Sequence, residues 1–132
     1  AGAVLFSAGA GAEEGPMLPA PEAFSKAQAG EITLIDIRTP REWRQTGVAE
    51  GAIPIDMTRK TFVNEILDAV DGEKDAPIAL ICRTGNRTTY TQKALQQMGF
   101  SRVYNVKEGM SGSDAGPGWV RRGLPLDSCQ TC

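Results

Sequence analysis

The most informative stretch of the sequence covers residues 78–87 and reads Ile78-Ala79-Leu80-Ile81-Cys82-Arg83-Thr84-Gly85-Asn86-Arg87. Its first four residues are apolar and follow a proline, which predicts a short buried strand. A helix is predicted for residues 87–98, because four apolar residues share one face: Tyr90, Ala94, Leu95 and Met98. The chain must therefore turn between the strand and the helix at residues 82–87, and Cys82 lies where that turn begins.

The turn at residues 82–87 is suited to holding an anion. Gly85 and Asn86 are residue types that tolerate positive φ, and such turns direct successive backbone N–H groups inward. The positive end of the following helix and the side chains of Arg83 and Arg87 strengthen this field. We therefore predict that Cys82 is a reactive thiolate rather than a small apolar residue that merely ends a strand.

Outward from this turn, short apolar runs alternate with helical patterns. Strands are predicted at residues 17–18, 32–37, 53–55, 78–81 and 103–106, and helices at residues 21–29, 40–46, 61–70 and 87–98. Thr39 and Glu42 are predicted to form a capping box at the start of the second helix, and Phe100 to pack on Leu95 after the last one. Such alternation predicts right-handed βαβ units around a mostly parallel sheet with helices on both faces. Ligands bind at the carboxyl ends of strands in sheets of this kind. Cys82 follows one strand end, and Asp36 and Arg38 lie at another.

Composition limits the chemistry that the chain can perform. The 132 residues fit one domain, with 41% hydrophobic and 23% charged residues and a net charge of −2. This charge gives no reason to expect a nucleic-acid partner, and no apolar run is long enough for a membrane span. There is no histidine, which excludes Ser-His-Asp and Cys-His catalysis. We expect no metal and no organic cofactor.

The two ends of the sequence differ from its middle. Residues 1–15 are predicted to be a flexible tail or the remnant of a signal peptide, since Ala10-Gly11-Ala12 has the form of a cleavage site. An exported, periplasmic protein is then expected, and a cytoplasmic one if the segment is only a flexible terminus. Residues 16–127 are predicted to form the domain. Residues 128–132 follow it and contain Cys129 and Cys132.

At the turn and in three further motifs the sequence resembles the rhodanese family of sulfurtransferases. Residues 82–87 resemble the active-site loop of that family, and the resemblance extends over residues 17–126. The supporting motifs are Asp36-Ile37-Arg38-Thr39-Pro40-Arg41-Glu42-Trp43, Gly51-Ala52-Ile53-Pro54, and the late stretch from Glu108-Gly109 to Trp119 with Gly123-Leu124-Pro125.

The resemblance implies a fold and a reaction. The fold is a five-stranded, mostly parallel sheet flanked by helices on both faces. In the reaction, Cys82 takes the outer sulfur of an anionic donor such as thiosulfate, and a thiol, a protein acceptor or cyanide then removes it from the persulfide. The backbone of residues 83–87, with the side chains of Arg83 or Arg87, would hold the donor, which makes Arg83, Thr84, Gly85, Asn86 and Arg87 the predicted substrate-binding residues.

Two regions differ from the usual pattern of the family. Val48-Ala49-Glu50 stands where many members have a histidine, and residues 111–118 form a longer stretch than usual before Trp119. Asp36 and Arg38 are predicted either to orient the active-site loop or to form a structural ion pair. Trp43 and Trp119 are expected to be packing residues.

Two other functions are compatible with a cysteine at this position. Cysteine-dependent phosphatases and arsenate reductases of related fold also combine a Cys, an Arg and a backbone nest. Their loops are one residue longer, whereas Arg87 here comes five positions after Cys82. The second alternative is a sulfur carrier that docks a partner and turns over thiosulfate poorly.

The pair Cys129 and Cys132 leaves Cys82 as the third cysteine of the chain. The two residues are predicted either to form a redox pair or to be incidental thiols of a disordered tail. A zinc site is disfavoured, because two thiols and no histidine provide too few ligands. A closed disulfide would leave Cys82 as the free thiol, and a reduced pair could attack a persulfide on Cys82 and release sulfide.

Overall fold

The computed structural model describes residues 15–132, so the predicted cleavage site at residues 10–12 lies outside the described part of the chain. In this described part, four strands form the central sheet: β1 (Thr33–Asp36), β3 (Ile53–Pro54), β4 (Ile78–Ile81) and β5 (Val103–Val106). They run parallel in the order β3-β1-β4-β5. The parallel α/β sheet is thus the one that the sequence predicts, and β4 occupies an interior position.

Of the five predicted strands, the one at residues 17–18 is reduced to a single bridge. Met17 pairs with Asn105 of β5 in parallel orientation, and the Leu18 amide donates to the Asn105 carbonyl at 3.0 Å. Pro19 follows immediately and cannot donate a ladder hydrogen bond. The expectation of five strands is therefore corrected to four strands and one bridge.

Within residues 15–132, four helices cover the sheet: α1 (Ala20–Gln28), α2 (Pro40–Thr46), α3 (Phe62–Ala69) and α4 (Asn86–Gln97). Their bounds lie within a residue or so of the predicted ones, because the end signals are strong. Thr39 and Glu42 form the predicted capping box of α2. After α4, the Phe100 amide donates to the Leu95 carbonyl at 3.1 Å, which is a hydrogen bond of the Schellman motif. The side chains of Phe100 and Leu95 lie in the same buried cluster, as the sequence predicts.

A second, small sheet joins two distant parts of the chain. Strand β2 (Val48–Ala49) pairs with β6 (Leu126–Asp127) in antiparallel orientation. Two-residue strands carry too little periodicity to be detected in a sequence. This pairing fixes the segment after residue 125 next to the end of α2.

The core lies on both faces of the central sheet. All four residues of β4 are fully buried. One face packs against apolar residues of α3 and α4, including Phe62, Ile66 and Leu95. The other face packs against α1 and Trp119. The rings of Trp119 and Phe24 meet edge-on, with their centroids 5.8 Å apart. Trp43 is buried as well, which confirms both tryptophans as packing residues. Within residues 15–132, no helix has the length and apolarity needed to cross a membrane.

The loops that follow β4 and β5 are joined by their backbones. The Met110 amide donates to the Cys82 carbonyl and the Ser111 amide to the Arg83 carbonyl, both at 2.9 Å. Gly109 makes this approach possible, because a Cβ atom on it would overlap the Arg83 carbonyl oxygen, and its φ is +70°. The position of the Cys82 loop thus depends on a glycine in a different loop.

The first prediction concerns Gly109→Ala, with Gly30→Ala as its control. Gly30 also has positive φ, at +74°, but no atom lies within 4 Å of its hypothetical Cβ. Gly30→Ala should therefore lower the unfolding free energy only because alanine must adopt a left-handed backbone conformation, which costs roughly 1–2 kcal/mol. Gly109→Ala should lose clearly more unfolding free energy in urea titration, because the loop must also move. Equal losses in the two variants would contradict the close approach.

Candidate active site

Cys82 follows β4 directly, and its residue is only 1% exposed. The backbone N–H of Gly85 donates to the Cys82 Sγ at 3.2 Å. Gly85 caps α4 with φ of +90°, and a Cβ there would overlap the carbonyl oxygen of Lys107. The loop is therefore closed over the sulfur by a residue that has to be glycine. This geometry places an amide dipole and the N-terminus of α4 at the thiol.

Thr88 is the second polar group at the sulfur. Its Oγ1 lies 3.5 Å from Cys82 Sγ, and it also lies 3.2 Å from the Gly85 carbonyl oxygen, to which it can donate. A hydroxyl has one proton, so it serves one of these acceptors at a time. With a neutral thiol, the S–H can donate to Thr88; with a thiolate, rotation of the hydroxyl directs its proton to the sulfur.

Arg87 binds Glu42 through both of its terminal nitrogens. Nη1 donates to Oε1 at 2.7 Å and Nη2 to Oε2 at 2.8 Å. These hydrogen bonds are the largest cause that lowers the pKa of Glu42 from 4.5 to about 2, and burial opposes them. The same pairing raises the pKa of Arg87 above its usual value. The ion pair joins α2 to the end of the Cys82 loop.

Arg83 is exposed, and no carboxylate among residues 15–132 pairs with it. It borders a pocket of about 190 Å³ beside the loop, whose lining residues are Arg38, Glu42, Gln45, Thr46, Arg83 and Ser111. Thr84 and Asn86 are exposed at the same loop. The structure therefore brings residues 82–87 together around one sulfur, with an available cation on the solvent side.

Asp36 and Arg38 form a buried ion pair at the end of β1. The two side chains are 0% and 1% exposed, and Arg38 Nη2 lies 2.8 Å from Asp36 Oδ2. Arg38 also donates to Thr46 Oγ1 and to the Gly47 carbonyl, each at 3.0 Å. These contacts fix the end of α2 and one wall of the pocket. The structure thus shows the ion pair, and orientation of the loop by these two residues stays a prediction.

Glu108 organises the late stretch of the sequence. Its buried carboxylate accepts hydrogen bonds from the Ala20 amide at 2.7 Å, the Gly118 amide at 2.8 Å and Arg122 Nε at 2.7 Å. Burial alone would raise the pKa of Glu108, but these donors leave it below its usual value. The longer segment before Trp119 closes on itself, because the Ser113 amide donates to the Gly116 carbonyl at 2.9 Å.

Cys129 and Cys132 form a disulfide, with Cα atoms 5.4 Å apart. Cys82 is the free cysteine of the chain. Both members of the pair are partly exposed. The segment that carries them lies against α2, since Arg44 Nη1 donates to the Cys132 carbonyl at 3.0 Å.

The sequence did not reveal the roles of three residues. The sequence predicts Glu42 as part of a helix cap, but not as the partner of Arg87, which is 45 residues away in sequence. Thr88 could have been suspected, because a hydroxyl residue in the first turn of a helix often bonds back to a preceding carbonyl. Glu108 was noted only within a motif, and its carboxylate gave no signal of burial.

A family model for the rhodanese-like domain matches residues 20–115. The chain belongs to the rhodanese-like family. The match includes all of α1, the central sheet and the Cys82 loop, and it ends within the longer segment before Trp119.

Rhodanese-like relatives include named sulfurtransferases. The thiosulfate sulfurtransferase GlpE of Actinobacillus pleuropneumoniae is 33% identical over 96 residues, which cover 73% of this chain and 78% of that protein. A sulfurtransferase of Allochromatium vinosum is 31% identical over 100 residues, covering 76% and 82%. The polysulfide-sulfur transferase homodimer of Wolinella succinogenes is structurally similar, with a TM-score of 0.65 and 26% identity over 84% of this chain and 77% of that one. These similarities confirm the rhodanese-like fold and the sulfurtransferase family.

The second prediction concerns the ion pair between Glu42 and Arg87. Because the pKa of Glu42 is lowered from 4.5 to about 2, its contribution to stability is fully present above pH 4.5 and is lost as the pH falls toward 2. Glu42→Gln keeps a capping residue but removes the charge. It should lower the unfolding free energy by roughly 1–2 kcal/mol at pH 7, since the pair is only partly exposed.

The measurement is urea unfolding of the wild type and Glu42→Gln from pH 7 to pH 2. The difference between them should shrink below pH 4.5. Glu65→Gln is the control, because Glu65 pairs with Arg59 at 3.0 Å on the exposed surface and should change stability little. A difference for Glu42→Gln that is independent of pH would contradict the assignment.

Proposed function

We propose that this rhodanese-like protein transfers sulfane sulfur from thiosulfate, or a related anionic donor, to a thiophilic acceptor through a persulfide on Cys82. The observation that carries the proposal is the buried Cys82 sulfur with the Gly85 N–H aimed at it at 3.2 Å. A cysteine that only filled space would need no amide donor and no cation at the mouth of its loop.

The reaction has two displacements at sulfur. The Cys82 thiolate attacks the outer sulfur of thiosulfate, a new S–S bond forms, and sulfite leaves with the electrons of the broken S–S bond. An acceptor nucleophile then attacks the outer sulfur of the persulfide, and the Cys82 thiolate leaves. Thiolate and persulfide are both anionic, so the Gly85 amide and the N-terminus of α4 stabilise the sulfur in each state.

The two loop arginines have different tasks in this proposal. Both terminal nitrogens of Arg87 are bound to Glu42, so this residue holds the loop against α2. Arg83 is exposed and borders the pocket, so it is the side chain available to the sulfonate oxygens of a donor. Thr84 and Asn86 lie between them at the exposed part of the loop.

The same contacts weigh against a phosphatase or arsenate reductase. Such a reaction needs the arginine at the end of the loop to hold a tetrahedral oxyanion through its planar fork. Here that fork is occupied by Glu42. The short loop also encloses a single sulfur atom under the Gly85 amide. A carrier protein that receives sulfur from a partner would use the same persulfide and differ in its rate with thiosulfate.

The third prediction is tested in a thiosulfate:cyanide assay. Initial rates should give parallel double-reciprocal lines, the pattern of a double displacement. Cys82→Ser should have no activity. Arg83→Gln should raise the KM for thiosulfate about tenfold to a hundredfold, because one charged hydrogen bond is worth roughly 1.5–3 kcal/mol.

Arg102→Gln is the matched control for Arg83→Gln. Arg102 is exposed and directly precedes β5, at the opposite edge of the sheet from Cys82. Its removal should leave the KM unchanged. Activity that survives in Cys82→Ser would contradict the persulfide, and an aryl phosphatase activity that depends on Cys82 would favour the other enzyme class. Persulfide formation with negligible turnover would favour the carrier.

A further inference from the structure

The Cys129–Cys132 disulfide is docked near the Cys82 loop rather than hanging free. Strand β6 ends at Asp127, two residues before Cys129, and its pairing with β2 holds the start of the segment. At the other end, Arg44 of α2 binds the Cys132 carbonyl. The disulfide is therefore held along the side of α2.

The same helix forms a wall of the active-site pocket. Gln45 and Thr46 line the pocket that contains Arg83. They also line the groove around residues 128–130. The two depressions thus share the last turn of α2, and Glu42, one turn earlier, binds Arg87. An α-helix with its side chains is about 10 Å across, so this width separates the disulfide segment from the Cys82 loop.

The length of the segment is sufficient to cross this distance. Cys132 lies five residues beyond Asp127, the last residue of β6. An extended chain covers roughly 3.3–3.6 Å per residue, or about 17 Å for this stretch. Opening the disulfide removes the covalent link between residues 129 and 132, and the segment can extend once the hydrogen bond from Arg44 to the Cys132 carbonyl breaks. The reduced segment can reach the mouth of the pocket while β6 stays paired.

We propose that Cys129 and Cys132 reduce the Cys82 persulfide and release its sulfur as sulfide. This inference rests on the proposed function, since it needs the persulfide. One thiolate of the pair attacks the outer sulfur of Cys82–S–SH, which transfers the sulfur to that cysteine and frees the Cys82 thiolate. The second thiolate attacks the first cysteine's own sulfur, hydrosulfide leaves, and the disulfide closes.

The balance is one persulfide and two thiols in, and one thiol, one disulfide and one hydrogen sulfide out. The sulfane sulfur gains the two electrons that the cysteine pair loses. The docked disulfide is thus the product state, and an external dithiol reductant restores the pair for another turnover.

Burial and charge favour this direction of attack. Cys82 is 1% exposed, so an acceptor meets the outer sulfur of the persulfide before the inner one. Arg83 borders the pocket as an exposed cation, which attracts an incoming thiolate. Cys129 and Cys132 are partly exposed, and both can therefore leave their groove when reduced.

The fourth prediction compares three proteins after reduction, anaerobic desalting and addition of a single equivalent of thiosulfate per chain: wild type, Cys129→Ser/Cys132→Ser, and the control Gln130→Ala. Wild type and Gln130→Ala should release about one sulfide per chain and lose two thiols. The double variant should release none and keep one extra sulfur on Cys82 in intact-mass and peptide-mass spectra. Once the persulfide has formed, the first-order rate constant for its discharge to sulfide should not change with protein concentration, since the transfer occurs within one chain.

The outcomes separate the relay from the proposed function. A persulfide on Cys82 in the double variant, together with an equally stable persulfide on Cys82 and two retained thiols on Cys129 and Cys132 in reduced wild type, would overturn the relay alone. Equal sulfide release by the double variant and wild type would also overturn it. Absence of added sulfur on Cys82 in the double variant would contradict the proposed function itself.

Discussion

Two backbone hydrogen bonds connect the loop after β5 to the loop after β4, and the active site depends on them. The amides of Met110 and Ser111 hold the carbonyls of Cys82 and Arg83 at 2.9 Å, and Gly109 leaves the space that this contact needs. With its start fixed in this way, the loop can close within three residues, so that the Gly85 amide reaches the sulfur. The parallel sheet supplies the common edge on which both loops meet.

The three arginines around the loop fall into two groups: two form ion pairs with carboxylates, and one is exposed. Arg38 is neutralised by buried Asp36, and Arg87 by Glu42. Arg38 also binds Thr46 and Gly47 at the end of α2, and Arg87 binds Glu42 within α2. The low pKa of Glu42 keeps its pair charged well below neutral pH. Arg83, which has no carboxylate partner among residues 15–132, is the cation that the proposal assigns to the sulfur donor. Short helix α2 therefore connects the Cys82 loop, the buried pair of β1 and the disulfide segment.

Local signals explain what the sequence predicted correctly. The apolar run before Cys82 and the Thr39–Glu42 capping box depend on neighbouring residues, so the elements and the position of the thiol could be inferred. The contacts that were missed join distant residues: Glu42 with Arg87, Glu108 with Ala20, and β2 with β6. Contacts between such distant residues produce no periodic pattern in the sequence. The strand predicted at residues 17–18 is only one bridge in the structure, because Pro19 and the start of α1 end the pairing there.

The central claim is that Cys82 carries the transferred sulfur. Its most direct test is mass spectrometry of the protein with the Cys129–Cys132 disulfide closed, after exposure to thiosulfate and removal of excess donor. The closed disulfide cannot discharge the persulfide, so the mass should rise by one sulfur atom, located on the peptide that contains Cys82. An unchanged mass, or the same gain in Cys82→Ser, would contradict the account.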